Sequence, residues 1–328
     1  MSSDPSASLR IHPAEPLPGR FRGPLSCYFA ATRPAFLSVT LVGCLIGIAS
    51  ACASGVAFDP LRGAIIVFFA LLAHAGINVI NDYHDARSGA DAANHERIFP
   101  FTGGSRFIQN GVLSERRTGL FGHTLLALVI PPGLWLAWTS GPGLLLIGAA
   151  GLFFGWAYTA PPLALVRHGL GEIAIAAGWL LVAVGSDYAL RGAFSFQPVA
   201  AGLSFSLLVV NVLYINQFPD RAGDAATGKR TLVVRLGTDT AKWGYPLIGI
   251  AAHGWLLAMI GEGVLPQKTG LAAFTLVLTL TAGGDLIKHA GEPSALRPAL
   301  VRTILAANLH GALIAIVLAW VAGQGNVP

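Results

Sequence analysis

The chain reads as an all-α, multi-pass membrane protein of nine transmembrane helices, an expectation that rests on three observations. Hydrophobic residues make up 54% of the 328 and charged residues only 11%, where soluble domains carry about 25% charged residues; mean hydropathy is +0.63. Apolar runs long enough to cross a hydrocarbon core of about 30 Å recur nine times along the chain. Finally, the basic residues sort by loop. With the N-terminus inside, all but three of the 21 Lys and Arg (Arg62, Arg191 and Lys268) fall in cytoplasmic segments, as the positive-inside rule requires.

In chain order, residues 1–33 are rich in Pro, Ser and Arg and lack an immediate apolar core. They read as a cytoplasmic tail rather than a cleaved signal, with an interfacial helix expected near 25–31. Residues 34–328 read as one transmembrane domain, with spans expected at 36–53, 63–80, 120–138, 143–160, 173–190, 199–218, 243–260, 270–286 and 300–320. This count puts the C-terminus outside, the long connections 82–118 and 219–241 in the cytoplasm, and the protein in a cell membrane. Connections of that length are usually functional. The 40 glycines fit close helix packing in lipid. Cys27, Cys44 and Cys52 have neither the number nor the spacing of a disulfide framework or metal site. The net charge of +5 is explained by topology, so nucleic acid is not expected as a partner.

Acids at the end of an apolar helix are costly and mark function. Asn78, Asn81, Asp82 and Asp85 fall at i, i+3, i+4 and i+7, one face of a helix, with Asp91 beyond. Asn216, Asp220 and Asp224 recur at four-residue steps and are followed by Gly228-Lys229-Arg230-Thr231. Mg²⁺ takes one or two carboxylates and completes its shell with water and substrate phosphates. Two such partial sites facing each other point to a metal-bridged diphosphate, and a diphosphate-bearing ligand that lives in a bilayer is most simply a polyprenyl diphosphate. A transporter places its charges near the midplane of several helices, whereas these cluster at one face. A CDP-alcohol phosphotransferase carries an Asp-Gly-x-x-Ala-Arg run, which is not present before these acids.

Asn81-Asp-Tyr-His-Asp-Ala-Arg-Ser-Gly-Ala-Asp91 resembles the first aspartate motif of the UbiA superfamily of intramembrane aromatic prenyltransferases, and Asp220-Arg-Ala-Gly-Asp224 with Gly228-Lys-Arg-Thr-Leu232 resembles the second. Tyr158-Thr-Ala-Pro-Pro162 and Gly169-Leu-Gly-Glu172 are similar to segments of the menaquinone branch, the 1,4-dihydroxy-2-naphthoate prenyltransferases. The six-residue step from Asp85 to Asp91 also looks like that branch, where 4-hydroxybenzoate enzymes typically have four. Phe101-Thr-Gly-Gly-Ser-Arg106 departs from the branch's Gly-Pro-x-Arg type of segment, so 4-hydroxybenzoate stays open as the acceptor.

The resemblance implies nine helices around a central cavity and Mg²⁺ held by Asn81, Asp82, Asp85 and Asp91 on one side and Asn216, Asp220 and Asp224 on the other. It also implies transfer of the prenyl group through an allyl cation to an aromatic quinone precursor. Lys229, Arg87, Arg106 and Arg230 are the expected phosphate donors. The ring faces of Tyr158, Tyr214 and Phe107 are expected to line the cation's path. His74, one turn before Asn78, is expected to reach the acceptor as a contact or base, with a packing histidine as the plainer reading. Tyr158 before two prolines also reads as an interfacial anchor, Glu172 as a charge favoured by its helix N-terminus, and His310 and Asn308 as residues satisfied by neighbouring helices.

Overall fold

A computed structural model describes residues 12–325, and all regular structure among them is helical. A short α1 (Pro24–Ala31) forms where an interfacial helix was expected. It is followed by α2 (Ser38–Ala53), α3 (Pro60–Ser88), the single turn α4 (Ala90–Ala93), α5 (Glu115–Ser140), α6 (Gly143–Ala157) and α7 (Gly171–Arg191). Then come α8 (Gln197–Ala226), the short α9 (Leu232–Leu236) and α10 (Thr238–Ala241), α11 (Gly244–Gly261), α12 (Leu276–His289) and α13 (Arg297–Gly325). Residues 1–11 of the expected tail lie outside the described residues.

The nine expected spans are present among the described residues as eight helical stretches of membrane-crossing length and one shorter apolar helix, α6. Helix α6 stops at Ala157, short of the expected end at 160, because Pro161 and Pro162 have no N–H to continue the ladder. Side chains such as Leu128, Trp138, Leu146, Leu247 and Ile316 point outward, as they do when the solvent is lipid. The protein is an integral membrane protein.

Helix α8 is the central post. Some 78% of its apolar stretch is buried, against 56% or less in every other long span. Phe205 and Leu208 of α8 pack with Val42 and Ile46 of α2, Leu256 of α11 and Ile314 and Leu318 of α13. Further along α8, Ile215 and Phe218 pack with Tyr245, Leu286 and Leu300. Lipid tails supply no hydrophobic drive between helices, so close backbone approach matters. At Gly47 a Cβ would lie 2.1 Å from the carbonyl oxygen of Ala183, and only glycine lets α2 meet α7 there.

Two boundaries differ from expectation in a way that builds the site. The spans expected to end at 80 and 218 continue as helix to Ser88 in α3 and Ala226 in α8. Helix α3 stops at Gly89, whose φ of 80° ends the helix in the left-handed region. Both acidic clusters therefore ride on helical turns rather than on loops.

Candidate active site

A cavity of about 700 Å³ opens between α2, α3, α5, α6, α7 and α8. Its wall is apolar over most of its area, with residues such as Phe69, Ile147, Leu152 and Leu213, and polar at one end, where Asn78, Asn81 and Asp85 of α3 face Asn216, Asp220 and Asp224 of α8.

Lys229 joins the two clusters. The chain leaves α8 in a turn whose Lys229 N–H donates to Asp224 O at 2.8 Å. The turn sends the side chain across to α3, with Nζ 3.1 Å from Asp85 Oδ2 and 3.4 Å from Asp224 Oδ1. Burial works against the Lys229 ammonium, but the Asp85 and Asp224 carboxylates outweigh it and push its pKa well up. The cation is fixed.

A second link comes from the connection after α4, where Asn94 Nδ2 donates to Asp220 Oδ1 at 2.5 Å. Asp91 lies on the same wall, its Oδ2 accepting from Gln109 Nε2 at 3.3 Å. Gly104 presses on that carboxylate with φ 73°, leaving no room for a Cβ. Burial first, then the Asp85 and Asp82 charges, push Asp91 well above the ordinary carboxylate range.

The cavity wall thus gathers His74, Asn78, Asn81, Asp85, Asp91, Tyr158, Asn216, Asp220, Asp224 and Lys229 from the sequence expectation. Six other expected residues are not on it. Asp82, one residue and about 100° round the helix from Asn81, turns away. Its buried Oδ1 accepts from Ser105 N at 3.2 Å and sits 3.9 Å from Arg33. Arg87 is exposed and lies over the Tyr83 ring, donating to that hydroxyl at 3.0 Å. Arg106 is buried and donates to Asp91 O, holding the backbone instead of facing a phosphate. Arg230 points to solvent. Tyr214 is packed in the core with its hydroxyl on Ala241 O at 2.7 Å. Phe107 stacks against Phe21 of the N-terminal segment, ring centroids 5.3 Å apart.

Among the plainer readings, His310 bonds Ser204 at 3.0 Å and Thr275 at 3.0 Å, and Glu172 accepts from Gln217 at 2.5 Å. His74 bonds Thr40 at 2.8 Å and meets Trp179 edge-on, 5.2 Å between ring centroids. The sequence reading missed Arg33, Asn94, Gln217 and Thr231, all on the wall. Asn94 was legible as an amide three residues beyond Asp91 in an already suspect connection, and Thr231 lay inside the quoted Gly228–Leu232 segment without being singled out; Arg33 carried no signal of its own.

The donor set suits a hard cation. Asn216 Oδ1 and Thr231 Oγ1 are buried without a hydrogen-bond partner, at the end of the cavity where the carboxylates gather. Among the described residues no group of three or more His, Cys, Asp or Glu side chains is arranged to hold a metal ion by itself. Mg²⁺ takes one or two carboxylates and completes its shell with waters and substrate phosphates, so the acids and amides of α3 and α8 would each supply part of such a shell.

Fold and site together define a helical membrane enzyme with a polar, acid-lined end on an apolar cavity. The chain belongs to the UbiA prenyltransferase family, whose profile matches residues 36–290, and is a transferase of prenyl groups. It is 28% identical over 87% of its length to a 1,4-dihydroxy-2-naphthoate octaprenyltransferase of Escherichia coli (strain K12), covering 92% of that protein. It is 29% identical over 91% of its length to a 2-carboxy-1,4-naphthoquinone phytyltransferase of Synechocystis sp., covering 94% of it. In fold it is similar to a UbiA homolog from Archaeoglobus fulgidus bound to DMAPP and Mg²⁺, with TM-score 0.58 at 18% identity over 89% of this chain and 100% of that one.

Proposed function

We propose that the chain transfers a polyprenyl group from its diphosphate to 1,4-dihydroxy-2-naphthoate, with Mg²⁺, at the cytoplasmic end of the bundle. The observation that carries this reading is Lys229, an ammonium held between Asp85 and Asp224 at the polar end of an apolar cavity. The naphthoate acceptor is supported by the names of the two relatives and by the Asp85-to-Asp91 step.

Mg²⁺, when bound, neutralises charge on the departing diphosphate; Asp85, Asp91, Asp220 and Asp224, with Asn81 and Asn216, are the residues that would hold it. Lys229 supplies a point charge to the phosphate oxygens. The apolar walls hold the prenyl chain and keep water from the allyl cation left when the C–O bond to diphosphate breaks. Tyr158 offers that cation a ring face. His74, deeper on the wall and oriented by Thr40, is placed to contact the acceptor. The naphthoate ring carbon bearing the carboxylate attacks the allylic carbon; the new C–C bond forms and CO₂ leaves.

Purified protein incubated with Mg²⁺, a labelled prenyl diphosphate and a panel of aromatic acceptors, with products identified by mass, tests this. The decarboxylated prenyl naphthoate is the expected product. Prenyl 4-hydroxybenzoate in its place overturns the acceptor assignment, and diphosphate release that ignores Mg²⁺ overturns the metal role.

A further inference from the structure

The N-terminal segment before α1 has only turns, yet Glu15 within it has no exposed surface. An unpaired carboxylate buried this completely would be costly, and its partners explain the position. Arg97 reaches Oε1 through Nε at 2.9 Å and through its second terminal nitrogen at 2.8 Å. Asn110 Nδ2 donates to Oε2 at 3.1 Å and to Pro16 O at 3.0 Å. Arg106 Nε stands 3.9 Å from Oε2.

The other nitrogens of these two arginines hold the backbone of cavity residues: Arg97 donates to Asn94 O at 3.0 Å, and Arg106 to Asp91 O. Asn94 and Asp91 both line the cavity, and Asn94 goes on to Asp220. Arg106 is also buried in the left-handed region at φ 66°, a conformation that persists only where its surroundings enforce it. One carboxylate, 76 residues before Asp91 in sequence, thus stands beside both guanidinium groups that hold the Asp91–Asn94 backbone.

We propose that Glu15 is a positioning residue: through Arg97 and Arg106 the N-terminal segment straps the 94–110 connection in place, so that Asp91 and Asn94 present their side chains to the cation–diphosphate end of the cavity. The inference rests on the reading of that end as a Mg²⁺–diphosphate site. Neutralising Glu15 removes the carboxylate that Arg97 bonds at 2.9 and 2.8 Å and that stands 3.9 Å from Arg106, and both arginines are bonded to the backbone of the site. Removing an outer partner of this kind typically weakens metal affinity about 10- to 100-fold.

The test uses the full-length protein in detergent or nanodiscs. Its readouts are the rise in melting temperature on adding Mg²⁺ with inorganic diphosphate, and the Mg²⁺ concentration giving half-maximal prenyl transfer. Glu15→Gln is expected to lose most of the ligand-induced rise and to need about 10- to 100-fold more Mg²⁺, and Glu15→Asp, which keeps the charge on a shorter stem, to recover part of both. Phe21→Ala, which loosens the same segment against Phe107 without touching Arg97 or Arg106, is expected to melt lower with the Mg²⁺ requirement of the wild type. If Glu15→Gln does not fold, Glu15→Asp decides alone: a raised Mg²⁺ requirement supports the strap, and an unchanged one overturns it. An equal Mg²⁺ requirement in Glu15→Gln and wild type, or an equal rise in Glu15→Gln and Phe21→Ala, also overturns it. A wild type that does not respond to Mg²⁺ and diphosphate removes the site reading itself, a result distinct from a responsive wild type matched by Glu15→Gln.

Discussion

Lys229 and Asp85 form an ion pair of 3.1 Å across 144 residues of sequence, from the turn after α8 to the last turns of α3. With Asp224 at 3.4 Å on the same ammonium, Lys229 bridges the two clusters. Lys229→Gln keeps the reach and removes the charge. It is expected to lower prenyl transfer about 10²- to 10³-fold, the usual cost of losing one charge-stabilising donor. The ammonium competes with a cation for Asp85 and Asp224. Mg²⁺ alone should therefore raise the variant's melting temperature more than the wild type's, and Mg²⁺ with diphosphate less. Parallel melting curves read both.

Gly104 has φ 73°, and a Cβ there would fall 2.2 Å from Asp91 Oδ2. Gly104→Ala must therefore displace the carboxylate as well as strain the backbone. Displacement of a site group by about 1 Å costs on the order of 10² in rate, and that loss is expected here. Gly111→Ala, at φ 69° but in open space, has only the conformational cost of about 1–2 kcal/mol. It should melt lower with near-normal turnover. Equal rates for the two variants would show that Asp91 does not depend on this contact.

The helices were legible because a nonpolar solvent leaves long apolar runs in the sequence; nine runs were read and the placement of Arg and Lys agreed with that count, where the structure has, among the described residues, eight stretches of spanning length and the shorter α6. The acidic faces were legible from helical spacing, since Asn81 and Asp85 or Asn216 and Asp220 face one way once the helix continues. It continues further than the apolar run does, so the sequence pattern could not place the ends at Ser88 and Ala226. The connections were the illegible part. Arg106 is close in sequence to the acids, but its guanidinium is spent on Asp91 O and Glu15. Sequence proximity does not give the direction of a side chain in a loop. Tyr214 and Phe107 were misplaced for a similar reason: an aromatic ring that fills a core looks in sequence like one that lines a cavity. Glu15 carried no local pattern at all, because its partners are 82 and 95 residues away.

His74 bonds Thr40 and packs edge-on to Trp179 on the cavity wall, one turn deeper than Asn78. If it contacts the acceptor, His74→Ala should depress turnover and raise the acceptor KM while leaving prenyl diphosphate affinity within about twofold, because truncation removes an interaction that only the acceptor makes. Titration of the prenyl diphosphate by calorimetry beside steady-state kinetics separates the two. Unchanged turnover would leave His74 as a packing residue.

The distribution of Lys and Arg predicts an N-terminus and both acidic clusters on the cytoplasmic side and a C-terminus outside. The point at issue is α6, whose 15 residues reach roughly 22 Å at 1.5 Å each, less than a full hydrocarbon core. A reporter fused after Pro328 should behave as extracytoplasmic if α6 crosses with its neighbours. A cytoplasmic signal would mean that α6 does not span and that the later helices are inverted.

Asp85 and Asp220 lie on different helices and line one cavity, where Lys229 ties Asp85 to the α8 turn and Asn94 ties Asp220 to the connection after α4. Asp85→Asn and Asp220→Asn each keep the shape and remove a negative oxygen. Each is expected to lower turnover by two or more orders of magnitude and to raise the Mg²⁺ needed for half-maximal rate, while the protein still inserts and folds. A carboxylate kept only for structure in a membrane would respond differently, since neutralising it leaves activity intact or gains stability. Residues that act as a unit are non-additive. The double variant should therefore be little slower than the slower single, because the first substitution already removes the shared hold on the diphosphate. Losses that multiply, with the Mg²⁺ requirement unchanged in both singles, would mean two independent sites and would dismantle the one-site reading.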